Sequence, residues 1–68
     1  MQPHEERVIA EELELSAKLD RLEDFVHGPM FVPLPVEDRK LLIEQTAAMA
    51  LYADVLKRRI ARFDGSGV

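Results

Sequence analysis

The segment that most constrains this chain is His27-Gly28-Pro29-Met30-Phe31-Val32-Pro33-Leu34-Pro35, because its three prolines and one glycine cannot sit in the middle of a helix. On either side the sequence is free of internal Gly and Pro, from Pro3 to Val26 and from Val36 to Phe63. In the first stretch Val8, Glu12, Leu15, Leu19, Leu22 and Val26 recur at alternating spacings of four and three, which is one face of a helix. Pro3 suits the first turn, and Glu5 and Glu6 face the unpaired N–H groups there. His27 and Gly28 mark the stop, with Gly28 free to adopt positive φ. The second stretch starts at Pro35 or Val36 with Glu37 and Asp38 in its first turn, and its stripe reads Asp38, Leu42, Gln45, Met49, Tyr52, Leu56, Ile60 and Phe63. At about 1.5 Å per residue both helices approach roughly 40 Å, so their lengths match.

These features predict an all-α fold: a single domain over residues 1–68, forming an antiparallel two-helix hairpin. Its parts are a helix over 3–27, a Pro-rich turn over 28–35, a helix over 36–63 and a flexible tail over 64–68. Met30, Phe31, Val32 and Leu34 are apolar and are expected to fold back over the end of the hairpin; an edge strand is the less favoured reading.

A chain of 68 residues lies near the lower size limit for a stable domain, where folding hides only about 60% of the unfolded surface. No Cys is present, so neither a disulfide framework nor a thiolate metal site compensates, and His4 and His27 are too far apart for a zinc site. Both helices also carry a second apolar stripe. Ile9, Leu13 and Ala17 lie on the first; Ala48, Leu51 and Val55, with Ala47 and Ala50 nearby, lie on the second. A homo-oligomeric helical bundle therefore follows, with Ile9, Leu13, Ala48, Leu51 and Val55 as its interface. The plainer reading is that these are ordinary exposed apolar residues shielded by long charged side chains.

The net charge is -4, with -5 on residues 1–27 and +1 on residues 28–68. That balance argues against DNA or RNA as a partner. No apolar run approaches the roughly 18 residues of a membrane span, and the N-terminal MQPHEERV lacks a signal core, so a cytoplasmic location is expected. Folding at the turn brings Glu5, Glu6, Glu11 and Glu12 toward Lys57, Arg58, Arg59 and Arg62, which favours the antiparallel register.

No nucleophile–base pair, metal-spaced histidines or Gly-rich phosphate loop is visible, so neither catalysis nor a cofactor is expected. Gln45, Tyr52 and Arg59 recur every seven positions, and Arg62 follows three residues later. A tyrosine ring can stack on a base and arginine forks suit phosphates, which makes Tyr52, Arg59 and Arg62 candidate ligand-binding residues. The plainer alternative assigns Gln45 to helix register, Tyr52 to the core with its hydroxyl at the edge, and Arg59 to a pair with Glu5, Glu11 or Glu12. His4 reads as a solvated terminal residue and His27 as a helix-end cap. Phe25, Phe31 and Phe63 read as core or end-plug residues.

The ordered elements RVIAEELEL, KLDRLEDF, MFVPL, LLIEQ, MALYADVL and RRIARF resemble a family of very short, uncharacterised proteins of tailed phages, crAss-like phages among them. The resemblance spans Arg7 to Phe63. More distantly, the pattern is similar to the helical-hairpin domain of phage anti-defence sponges, which oligomerise and sequester the cyclic nucleotide messengers of CBASS or Thoeris immunity. The resemblance implies a non-enzymatic phage accessory protein, active in the host cytoplasm, with a cyclic nucleotide as ligand. The alternatives are a module that binds a host or phage protein, or a purely structural helical oligomer.

Overall fold

Helix α1 (Pro3–Val26) and helix α2 (Val36–Ile60) run antiparallel in the computed structural model, which describes residues 2–63. The tail read over residues 64–68 lies outside the described residues. At the start of α1 the Gln2 backbone N–H donates to the Glu5 carboxylate at 2.8 Å, and the Glu5 N–H returns a bond to the Gln2 carbonyl at 3.0 Å. Pro3 in the first turn lacks only an N–H that the helix would not use there.

The other end of α1 closes on His27. Its backbone N–H and its ring Nδ1 both donate to the Glu23 carbonyl, at 3.1 and 2.8 Å, so His27 is the helix-end cap the sequence suggests. Gly28 does not use the left-handed region open to glycine. The position needs glycine for proximity: a Cβ there would lie 3.1 Å from the backbone oxygen of Asp24. The chain then makes tight turns, with Leu34 N–H donating to the Phe31 carbonyl at 3.0 Å. Arg39 Nε, from the first turns of α2, donates to the Leu34 carbonyl at 3.1 Å. Phe31 and Leu34 are half-buried, whereas Met30 and Val32 point to solvent, so two of the four apolar loop residues cover the hairpin end.

Val8, Ala53 and Leu56 form the buried centre, with Leu56 at 0% exposure. Half-buried Leu15, Leu19 and Leu22 on α1, and Leu42, Met49 and Ile60 on α2, continue it along the hairpin. The α1 stripe is the one read from the sequence. On α2 the inward stripe is Arg39, Leu42, Thr46, Met49, Ala53, Leu56, Ile60 and Phe63, so Asp38, Gln45 and Tyr52 yield to the residues that follow them. One residue is a rotation of about 100°. Ala53 and Thr46 are short and let the helices approach, whereas a tyrosine midway along the contact would hold them apart.

The hairpin is slender, with extents of 48 × 15 × 14 Å and a radius of gyration of 15.3 Å, against about 11 Å for a compact chain of this length. Its accessible surface is 5150 Å², where a compact monomer of 7.8 kDa has about 4,400 Å².

Candidate functional site

The two helices leave two flanks, one on each side of their line of contact. On the first, the Tyr52 ring and the residues Glu11, Glu14, Leu15 and Lys18 line an open groove. The Tyr52 hydroxyl donates to the Glu11 carboxylate, which joins the helices across the groove. That hydrogen bond raises the Tyr52 pKa above its usual 10.0, aided by partial desolvation and by the Glu11 charge, while the positive charge of Arg59 pulls the other way. The electrostatic effect of Arg59 reaches Tyr52 because the two lie seven residues, or nearly two turns, apart on one side of α2.

Tyr52 is 44% exposed and Arg59 and Arg62 are exposed, so the three candidate ligand-binding residues are accessible on the last turns of the hairpin. Gln45, one heptad before Tyr52, is also exposed and donates to the Met49 sulfur at 3.8 Å. The three acids considered as Arg59 partners have other contacts: Glu5 accepts from the Gln2 N–H at 2.8 Å, Glu12 pairs with Lys57 at 3.9 Å and Glu11 accepts from Tyr52. Arg58 pairs with Asp54 at 3.0 Å on the outer surface of α2.

On the opposite flank a second open cavity is lined by Ser16, Leu19 and Asp20 of α1 and by Ala50, Ala53 and Lys57 of α2. The Ser16 hydroxyl oxygen is buried there without a hydrogen-bond partner. Ile9 and Leu13 precede Ser16 by seven and three residues and share this flank, Leu13 being 64% exposed and Ile9 half-buried. Ala48 and Val55 are neighbours of Tyr52 on the other flank, with Val55 at 37% exposure, and Leu51 at 65% points outward from α2. The five interface candidates thus divide between both flanks and the outer face of α2.

His4, read as a solvated terminal residue, is exposed but sets its ring edge-on to Phe63, with centroids 6.5 Å apart, across the open end. Among the described residues no cluster of three His, Asp or Glu side chains is placed to hold a metal ion, and no helix is long and apolar enough to cross a membrane. Sequence reasoning missed the Glu11–Tyr52 bond and the orphaned Ser16 hydroxyl. The first was accessible in principle, since folding about the turn sets Glu11 opposite Tyr52. The second depends on how closely Ala50 and Ala53 let the helices approach.

The comparisons place this arrangement among phage proteins. An uncharacterised 7.5 kDa protein from the denB–rIIB intergenic region of Enterobacteria phage T4 is 32% identical over 63 residues, covering 93% of this chain and 98% of the relative. No solved structure matches. The family model named Sequestin matches residues 2–62, nearly the whole hairpin from the α1 cap to the turn after α2. With that coverage and a phage relative of the same size, the chain belongs to the Sequestin family of small phage proteins.

Proposed function

We propose that this protein is a phage accessory factor that works by sequestration, binding a cyclic nucleotide messenger in stoichiometric amounts within an assembly of hairpins. The family name points to sequestering, and the T4 relative supports a phage setting. The single observation that carries the ligand class is the exposed line of Tyr52 and Arg59 on one side of α2, with the Glu11 carboxylate at the tyrosine hydroxyl. A nucleobase offers a flat face to the Tyr52 ring and N–H donors to Glu11, while a phosphate takes the guanidinium of Arg59 or Arg62. A ring face, an acceptor and a cation therefore occur in the order that a base joined to a phosphodiester requires. Glu11 and Glu14 also set a condition on the ligand, because a phosphate seated directly over them would meet like charge. The base end belongs at Tyr52 and the phosphate end toward Arg59.

Thermal melting and calorimetric titration against a panel of cyclic di- and trinucleotides, with linear dinucleotides and ADP-ribose derivatives alongside, test the reading. A cyclic ligand is expected to raise the melting temperature, and Tyr52→Ala or Arg59→Ala is expected to abolish the rise. A flat response to the whole panel removes the proposal.

A further inference from the structure

We infer that the Tyr52 flank is where a second copy of this chain docks, through an antiparallel α2–α2 seam related by a twofold axis at the level of residue 50. The inference rests on the self-association in the proposed function and not on its ligand; because the seam runs along Tyr52 and Arg59, the ligand of that reading sits in the groove between the two copies. Beside the inward stripe, α2 carries a second heptad line, Asp38, Leu41, Gln45, Ala48, Tyr52, Val55, Arg59 and Arg62, spaced alternately three and four. All eight positions are exposed in the lone hairpin. The line is palindromic about residue 50, so an antiparallel partner places like layers in register. Small then meets large, with Ala48 under the partner's Tyr52. Apolar surface is shared, with Val55 against the partner's Gln45 and Leu41 along the stem of the partner's Arg59. Charges oppose, since the acidic first turn of α2, Glu37 and Asp38, lies beside the partner's basic last turn.

The first helix supplies an independent check. In an antiparallel pair the numbers of facing residues add to a nearly constant sum; the cross-helix contacts Glu11–Tyr52 and His4–Phe63 bracket it, so residue 16 of α1 stands about level with residue 50 of α2. The exposed line of α1 on the Tyr52 flank reads Arg7, Glu11, Glu14, Lys18, Arg21 and Phe25, and it is palindromic about that same level. The twofold that pairs the α2 helices therefore sets Glu14 toward the partner's Lys18, Glu11 toward the partner's Arg21, and Arg7 toward the partner's Phe25. Both helices are complementary to themselves about one axis. On the opposite flank the matching α2 line, Lys40, Ile43, Ala47, Ala50, Asp54 and Lys57, is symmetric about a different level, between residues 48 and 49, and there it would oppose Lys40 to the partner's Lys57 and Ile43 to the partner's Asp54. The excess surface of the lone hairpin, about 700 to 800 Å² over a compact monomer, is also close to what one partner contributes to a standard interface.

The test uses the ligand-free full chain. Sedimentation at micromolar concentration is expected to give twice the 7.8 kDa chain mass or an even multiple of it. Ala48→Arg, at an exposed position, is expected to halve the dimer mass while retaining helical circular dichroism, and Ala47→Arg on the other flank to leave the mass unchanged. Orientation is read with single cysteines, which the chain otherwise lacks. A mixture of Gln45→Cys and Val55→Cys chains is expected to be joined efficiently by a short bismaleimide, while each variant alone is joined poorly. A monomer at every concentration overturns the inference, as does a dimer that withstands Ala48→Arg or dissociates with Leu13→Arg instead. Efficient joining of Gln45→Cys to itself shows parallel helices and also overturns it. Failure of the ligand panel with these results intact would leave the seam standing and remove only the sequestration of a nucleotide.

Discussion

The inward stripe of α2 and the stripe beside it differ by one residue in register and belong to different parts of the molecule. Ala53 is 4% exposed and Leu56 fully buried, while Tyr52 and Val55, each one position earlier, remain open to solvent. Both stripes have heptad spacing and both contain apolar residues. What separates them is shape: the inward one has short side chains at Thr46 and Ala53, and the outer one has the bulky Tyr52 and the cations Arg59 and Arg62. In a two-helix protein, close approach of backbones selects the core as strongly as hydrophobicity does.

That contrast is broken most severely at Leu56. Leu56→Ala removes the one fully buried large side chain among the described residues and should cost about 2–5 kcal/mol, a large share of the stability a chain of this size has. Chemical denaturation followed by circular dichroism, at fixed protein concentration, is expected to show a lowered midpoint or loss of helix. The next effect is overpacking. Ala53→Leu forces the helices apart and should cost about 1–3 kcal/mol by the same measurement, whereas Ala47→Leu, on the exposed surface, should leave the midpoint nearly unchanged.

A smaller effect sharpens the other stripe. Tyr52 holds its proton more tightly in the folded chain than its ordinary 10.0, first because of its hydrogen bond to Glu11. The folded state then binds the proton more strongly than the unfolded state. Its contribution to stability is fully present below about pH 10 and is lost as pH rises through the higher folded value. Tyrosinate absorbance is expected to titrate above pH 10 in the native chain, and Glu11→Gln should bring the midpoint down. An unchanged midpoint would show that the bond does not persist in solution. Least of all is expected from Arg58→Ala, which breaks an exposed pair with Asp54 and should move stability by about 0–0.5 kcal/mol, within the error of a denaturation curve.

Much of the hairpin was legible before any coordinates. The Pro-rich break, the gap-free stretches beside it and the α1 stripe all follow from local rules, as does the His27 cap. The α2 stripe was legible only to within one residue, because Tyr52 and Ala53 both satisfy a heptad pattern and hydrophobicity alone ranks them poorly. The candidate site was half visible. Tyr52, Arg59 and Arg62 could be chosen for their chemistry, but Glu11 acquires its role from a residue 41 positions away, across the turn. Likewise, Ile9 and Leu13 could be recognised as surplus apolar residues, yet only the packing of α1 sets them on the flank opposite Ala48 and Val55.

By itself the sequence determined two helices, the place where the chain reverses, an acidic first helix, a second helix that is basic at its end, and more apolar surface than one contact line covers. Those properties depend on local backbone chemistry and on periodicity within a helix. The tertiary structure decided which face of α2 points inward, which acid meets Tyr52 and how the surplus apolar residues divide between two flanks. Each of those turns on the rotation of one helix about its axis, a choice fixed only when two surfaces of particular shape are pressed together.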